Sequence, residues 1–313
     1  MKPVSTLFTT LLCFSLLLVA CAPAAVPALP LAPSPTAAGL VLTDGVGRQV
    51  SLRGPVSKII SLAPSNTEIL YALGAGPNVI GRDEFSDYPA AAKSLPSVGG
   101  SMGKYSLEEI TSLQPDLVLA ASLNTPEQIK SLEDLKLNVF VLANPTTLDG
   151  LYANLATVGT LTGHTSEASK LVDSLKQRVK LVSDAASKVT GIPKVFYELD
   201  ATDPSKPWTA GPGSFIDTLI KMAGGVNVAA AMKSDYAQFS QEELIAANPD
   251  VILLGDSAYN VTPDQVAKRP GWGSIKAVQE TKVFTFDDNL VSRPGPRLVD
   301  GLETIYKILQ SKP

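Results

Sequence analysis

The sequence predicts an α/β protein of two lobes, each with a parallel-type central sheet, joined by one long rigid helix. Three observations predict it. Strand-like and helix-like segments alternate from residue 40 to the end. Midway along, Thr165 to Thr190 contains neither glycine nor proline. And one helix–strand motif occurs twice, once in each half.

The first 39 residues stand apart from this pattern. Lys2 is their only charged side chain, and an apolar run from Leu7 to Ala20 follows it. A positive start, a short apolar stretch and small residues at the end read as a secretory signal. The run is short for the roughly 20 residues a spanning helix needs. Leu18-Val19-Ala20-Cys21 resembles the lipobox at which lipoprotein signal peptidase cuts, so Cys21 is the expected lipidation site and first mature residue. Lipid there holds a chain at a membrane with ~0.8 kcal/mol per buried methylene. Cys13 lies inside the signal, so the mature chain has no partner for a disulfide and no thiolate metal site. Residues 22–39 are uncharged and rich in Pro and Ala, which suits an extended tether. The expected organisation is a signal at 1–20, a tether at 21–39, an N-terminal lobe at 40–164, a linking helix at 165–190 and a C-terminal lobe at 191–313.

The N-terminal lobe begins with Val41–Thr43 and Gln49–Leu52 around Asp44-Gly45-Val46-Gly47, a hairpin pattern. Lys58–Leu62, Asn78–Gly81, Asp116–Ala120 and Asn138–Leu142 are the strands that follow. Ser65-Asn66-Thr67-Glu68 fits a capping box, with Gly74 as the stop. Thr125-Pro126-Glu127-Gln128 offers a cap, a proline at the first helical position and Gln at the third. In the C-terminal half, Val195–Leu199, Val251–Leu254 and Lys282–Phe286 read as strands. Ser214–Met222, Gln241–Ala247, Thr262–Lys268 and Arg297–Leu309 read as helices. Between the halves, Ala168, Leu171, Val172, Leu175, Val179, Val182, Ala186 and Val189 recur at three- and four-residue steps. That stripe predicts an amphipathic helix about 38 Å long, a stiff strut between lobes.

The repeated motif is Ser106-Leu-Glu108-Glu109-Ile110 leading to Pro115-Asp116, and Ser240-Gln-Glu242-Glu243-Leu244 leading to Pro249-Asp250. Each serine is a natural N-cap. Glu109 and Glu243 stand where a capping box closes. Glu108 and Glu242 complement the helix dipole, and their side chains remain available to solvent.

The formal net charge is −4, and no clustered basic face appears, so a nucleic-acid partner is not expected. The single histidine, His164, falls at the start of the predicted strut. One histidine and no mature thiol pair argue against a resident metal site. Gly211-Pro-Gly-Ser-Phe and Gly271-Trp-Gly-Ser-Ile lack the closing glycine of a nucleophile elbow, and no Walker loop is present. Neither an enzyme nor a bound cofactor is expected, with a lipid-anchored hydrolase as the alternative from a different class.

With these residues in hand the chain resembles the substrate-binding lipoproteins of ABC importers for iron-siderophores, cobalamin and haem. The resemblance covers about residues 41–310. It rests on Thr43–Val50, Ile60–Leu70 with Leu73-Gly74, Asp87-Tyr88-Pro89 followed by Leu95–Gly100, Leu107-Glu108 with Pro115–Val118, Tyr197-Glu198, and Ala210–Ile216 with Ala223-Gly224-Gly225. It implies the class III periplasmic-binding fold, with ligand held between the lobes and little closure. It implies that Glu108 and Glu242 dock on arginines of the two permease subunits. Matching the cobalamin-binding members places Phe85, Tyr236 and Arg293 in the cleft, with Tyr105 and Trp208 at its mouth. Aromatic faces and a guanidinium suit a flat macrocycle with amide or carboxylate arms. Two tryptophan positions of cobalamin binders fall on small residues here, near Ser101 and Ala121, which leaves ferric siderophore and haem open. The expected molecule is an extracytoplasmic, lipid-anchored monomer. Its partners are a metal chelate, an ABC permease dimer and, through lipid on Cys21, the membrane.

Overall fold

The computed structural model describes residues 39–311. The predicted signal, Cys21 and the tether up to residue 38 lie outside the described residues.

The hairpin forms as expected, with β1 (Leu40–Thr43) antiparallel to β2 (Gln49–Leu52). Asp44 closes its loop by accepting the Val46 and Arg48 N–H groups, and it also pairs with the Arg48 guanidinium. Next come β3 (Ile59–Ser61), α1 (Pro64–Ala72), β4 (Val79–Arg82), α2 (Leu107–Ser112), β5 (Leu117–Ala121), α3 (Pro126–Asp134), β6 (Val139–Leu142) and α4 (Leu148–Thr162). The linking helix α5 spans Thr165–Ala186. The second half holds β7 (Lys194–Glu198), β8 (Trp208–Ala210), α6 (Phe215–Met222), β9 (Val226–Asn227), β10 (Tyr236–Gln238), α7 (Gln241–Ala247), β11 (Val251–Leu254), α8 (Pro263–Ala267), α9 (Lys276–Gln279), β12 (Val283–Thr285), α10 (Asn289–Ser292) and α11 (Leu298–Leu309).

Each lobe has one four-stranded parallel sheet, ordered β4-β3-β5-β6 and β12-β11-β7-β9. Numbered within its own lobe, each sheet reads second, first, third, fourth strand. The repeated motif occupies the same place in both, the helix and strand that enter third. Its details repeat as well. Gln114 and Asn248, just before the two prolines, both take left-handed backbone at φ 48° and 46°. The aspartate after each proline accepts a backbone N–H at the start of the lobe's first strand, Asp116 from Lys58 and Asp250 from Lys194. Duplicated chemistry thus pins the third strand beside the first in both lobes.

The helix-start expectations divide. Thr125 and Ser240 close full capping boxes with Gln128 and Glu243. Ser106 caps the Glu109 N–H, but its own N–H is taken by Val98 O, so no box closes there. The box at Ser65 does not form. The helix starts two residues earlier, with Ala63 as N-cap and Pro64 at the first helical position, where its fixed φ is already helical. Glu68 is thereby released for a different role. Several elements were not anticipated, among them α4, the β8–β10 ribbon, β9, α9 and α10. Helix α4 carries Gly150 and Gly159 and several threonines, which weaken its helical signal. The short β8–β10 ribbon has too few residues to show a period.

The strut α5 is about 33 Å long at 22 residues. Ala168, Leu175 and Val182 of its apolar stripe are buried. One hydrophobic core runs from Leu70, Leu155 and Val158 in the first lobe, along this stripe, to Val195, Ile220 and Leu302 in the second. Arg178 adds ion pairs to Asp300 and Glu303 on α11, at 2.6 and 2.8 Å. Continuous packing of this kind resists hinge motion, because interiors are close-packed and deform little.

Candidate functional site

The site lies where the carboxyl ends of the two sheets approach each other, the usual place for ligands in open α/β sheets. From the first lobe, Phe85 follows β4 and leaves 54% of its surface exposed. Its N–H bonds Asp83 Oδ1 at 2.9 Å, which fixes the turn that presents the ring. Tyr105 is half-buried. Its hydroxyl donates to Leu62 O at 3.2 Å and accepts from Asn124 Nδ2 at 2.9 Å. Burial pushes the Tyr105 phenol up, with the charge of Asp83 adding and the Asn124 bond opposing.

From the second lobe, Trp208 and Tyr236 are 44% and 49% exposed. They sit on the antiparallel β8–β10 ribbon, where Trp208 pairs with Gln238 and Tyr236 with Ala210. That register puts the two rings on one face as diagonal neighbours. Asp288 receives the Tyr197 hydroxyl at 2.7 Å, and burial together with Asp288 raises the Tyr236 phenol.

Arg293 crosses between lobes. Its Nη1 lies 2.6 Å from Asp87 Oδ1 and 3.5 Å from Glu68 Oε1, and its Nη2 is 3.4 Å from Phe85 O. All three partners belong to the first lobe. Beside it, Arg297 donates to both oxygens of Glu68 and stacks 4.0 Å from the Tyr88 ring. The Glu68 side chain is 1% exposed. Sequence reasoning missed this cluster of Glu68, Asp87 and Arg297. A glutamate as the one charge of helix α1, directly before Ile69 and Leu70, was the available signal, since buried charges are paired.

A second unforeseen cluster underlies the C-terminal rim. Arg269 makes two hydrogen bonds to the fully buried Glu198, at 2.6 and 2.9 Å, and lies 4.5 Å over the Trp272 ring. Asp256 adjoins it, accepting from Ala201 N at 3.2 Å, while its Oδ1 finds no partner among the described residues. Burial raises the Glu198 carboxyl to about 7, with Arg269 opposing and Asp256 adding. Burial raises Asp256 as well.

Glu108 and Glu242 stand far from these groups in chemistry. Both are exposed in the first turn of their helices, and neither forms an ion pair among the described residues. His164 occupies the N-cap position of α5 without capping it, its Nδ1 lying 3.0 Å from Thr162 O. Among the described residues no group of three His, Cys, Asp or Glu side chains is placed to hold a metal ion.

Comparison with known proteins bears on the fold and the family. The periplasmic binding protein family matches residues 59–290. An uncharacterized ABC transporter substrate-binding lipoprotein of Bacillus subtilis, YvrC, is 31% identical over 269 residues, covering 85% of this chain and 84% of that one. The vitamin B12 binding protein BtuF of Vibrio cholerae superposes with a TM-score of 0.69 at 27% identity, covering 82% of this chain and 97% of that one. The haem-binding protein BhuT, in complex with two haems, superposes at 0.73 with 26% identity, covering 82% and 98%. The two-lobed class III architecture and the solute-binding role are shared, and the hydrolase alternative finds no support. The chain therefore belongs to the periplasmic binding protein family, as an extracytoplasmic substrate-binding protein of the ABC-importer type and not an enzyme.

Proposed function

We propose that this chain captures a metal chelate, a corrinoid or a ferric siderophore, between its lobes and delivers it to an ABC permease dimer. One observation carries the reading. Phe85 of the first lobe and Trp208 and Tyr236 of the second leave large aromatic faces in water, and in this reading they face one cleft. Aromatic side chains usually bury 150–250 Å² each, so exposing three together suits a flat or bulky ligand. In this reading Arg293 and Tyr105 supply polar contacts at the cleft. Glu108 and Glu242 meet cations on the two permease subunits, and lipid on Cys21 keeps the chain beside the transporter as a monomer.

Trp208 provides the test. The only other tryptophan, Trp272, is fully buried in the second lobe. A strongly coloured chelate bound in the cleft quenches Trp208 emission in a saturable way, and Trp208→Phe removes most of that quenching. Saturable quenching that persists unchanged in the variant would place the ligand elsewhere.

A further inference from the structure

Between the lobes lies a hollow of about 330 Å³ that none of the residues discussed so far fills. The first lobe supplies the start of α1, the ends of β5 and β6, and one side of α4. Ser292 and Pro294 close it from the second lobe. These two flank Arg293, whose own side chain is engaged by Asp87 and Glu68.

The lining mixes apolar side chains, such as Ile69, Leu123 and Leu142, with polar ones, and carries no formal charge. Its hydrogen-bonding members are Ser65, Asn66, Ser122, Asn144, Asn154 and Ser292. Two of them are buried asparagines held in one orientation. Asn66, 2% exposed, donates its Nδ2 to Leu119 O and Ala120 O at 3.1 and 3.0 Å. Asn154, 9% exposed, donates its Nδ2 to Ala143 O at 2.9 Å. Asn66 thus has both amide hydrogens committed and Asn154 one of its two, and each Oδ1 remains as an acceptor that no donor meets among the described residues. Donors stand nearby. Helix α1 has no side-chain cap, so the Ser65 and Asn66 N–H groups at its start are unpaired among the described residues, as the first amides of any uncapped helix are.

Acceptors and donors side by side, without a cation, match a group that is itself both. A carboxamide or a hydroxyl fits. A carboxylate can accept from the α1 amides, but it fits less well, because it offers no hydrogen to the asparagine oxygens and is desolvated without a counter-charge. Resting on the chelate reading above, we infer that this hollow is a ligand subsite that takes an uncharged, hydrogen-bonding arm of the chelate. It selects amide- or hydroxyl-bearing ligands over carboxylate-bearing ones.

The test uses the full chain in detergent and four probes. They are cobalamin, its monocarboxylic acids in which one peripheral carboxamide is hydrolysed, haem with its two propionates, and a neutral ferric hydroxamate. Each is titrated against the native chain and against Ser122→Trp, which fills the hollow. Leu123→Trp on the exposed rim is the second filling variant, used if the first lowers the unfolding temperature. The expected result is tight binding of a neutral-armed probe and at least about tenfold weaker binding once the hollow is filled. If cobalamin is the ligand, at least one monocarboxylic acid is also weakened about tenfold. A chain that prefers haem, or whose best ligand binds both filling variants as well as the native chain, overturns the subsite while leaving chelate capture intact. Binding of no probe removes the chelate reading and the subsite together.

Discussion

Glu68 on α1 and Arg297 at the start of α11 join the two lobes through two hydrogen bonds, at 2.8 and 2.5 Å, with the carboxylate almost wholly buried. Arg293 shares the same carboxylate at 3.5 Å and reaches Asp87 at 2.6 Å. Together with the continuous core along α5, this clasp ties the two lobes to each other.

Removing one partner of a buried ion pair strands the other, at a cost of about 3–5 kcal/mol. Glu68→Ala therefore lowers unfolding stability by about that amount in urea melts. Asp87→Ala serves as the control. Its side chain is 48% exposed, so its pair with Arg293 contributes about 1 kcal/mol or less. Equal losses in the two variants would contradict the assignment of Glu68 as the interlobe clasp.

The buried Glu198 gives stability a pH dependence of definite sign. Its carboxyl is raised from the ordinary 4.5 to about 7 by burial. Between these values the folded chain keeps a proton that the unfolded chain has lost. This contribution is thus full below about pH 4.5, and falls by up to about 1.4 kcal/mol per pH unit as pH rises towards 7. Carboxylates with lowered values, such as Asp116 and Asp250, act in the opposite direction at lower pH. Glu198→Gln isolates the effect. The stability difference between native chain and variant shifts against the native chain from pH 5 to pH 7. A difference independent of pH would contradict it.

Glu108 and Glu242 head equivalent helices in the two lobes, exposed and outside any ion pair among the described residues. Replacing both by Ala abolishes uptake by membrane vesicles carrying the permease, while the dissociation constant for ligand in solution stays unchanged. In the native chain, raised salt slows association with the permease, as rim charges act mainly on encounter. Uptake that persists in the double variant would remove these residues from the docking surface.

Much of the fold was legible because its signals are local. The apolar stripe of α5 appears as three- and four-residue steps from Ala168 to Val182, and the doubled Ser-x-Glu-Glu…Pro-Asp unit lands at the same place in both sheets. The caps at Thr125 and Ser240 follow from side chains three residues apart. What escaped is non-local. Glu68 looks like a capping-box residue until Arg297, 229 positions away, is brought to it. The hollow between the lobes depends on Ser65, Asn144 and Ser292, which no periodicity connects. The family resemblance singled out Phe85, Trp208 and Tyr236, which stand exposed. The same resemblance left Arg293 without its partners, which the fold supplies from the opposite lobe.

Whether a chelate is held between aromatic faces of the two lobes is decided by a thermal-shift titration. The native chain and a Phe85→Ala/Tyr236→Ala variant are melted with cobalamin, cobinamide, haem and ferric siderophores. Ligand at a hundred times its dissociation constant stabilises the native chain by about 2.7 kcal/mol. Such a shift is expected for one chelate class and is lost in the variant, with the ligand-free melting temperature little changed. A chelate that stabilises native chain and variant equally would contradict it.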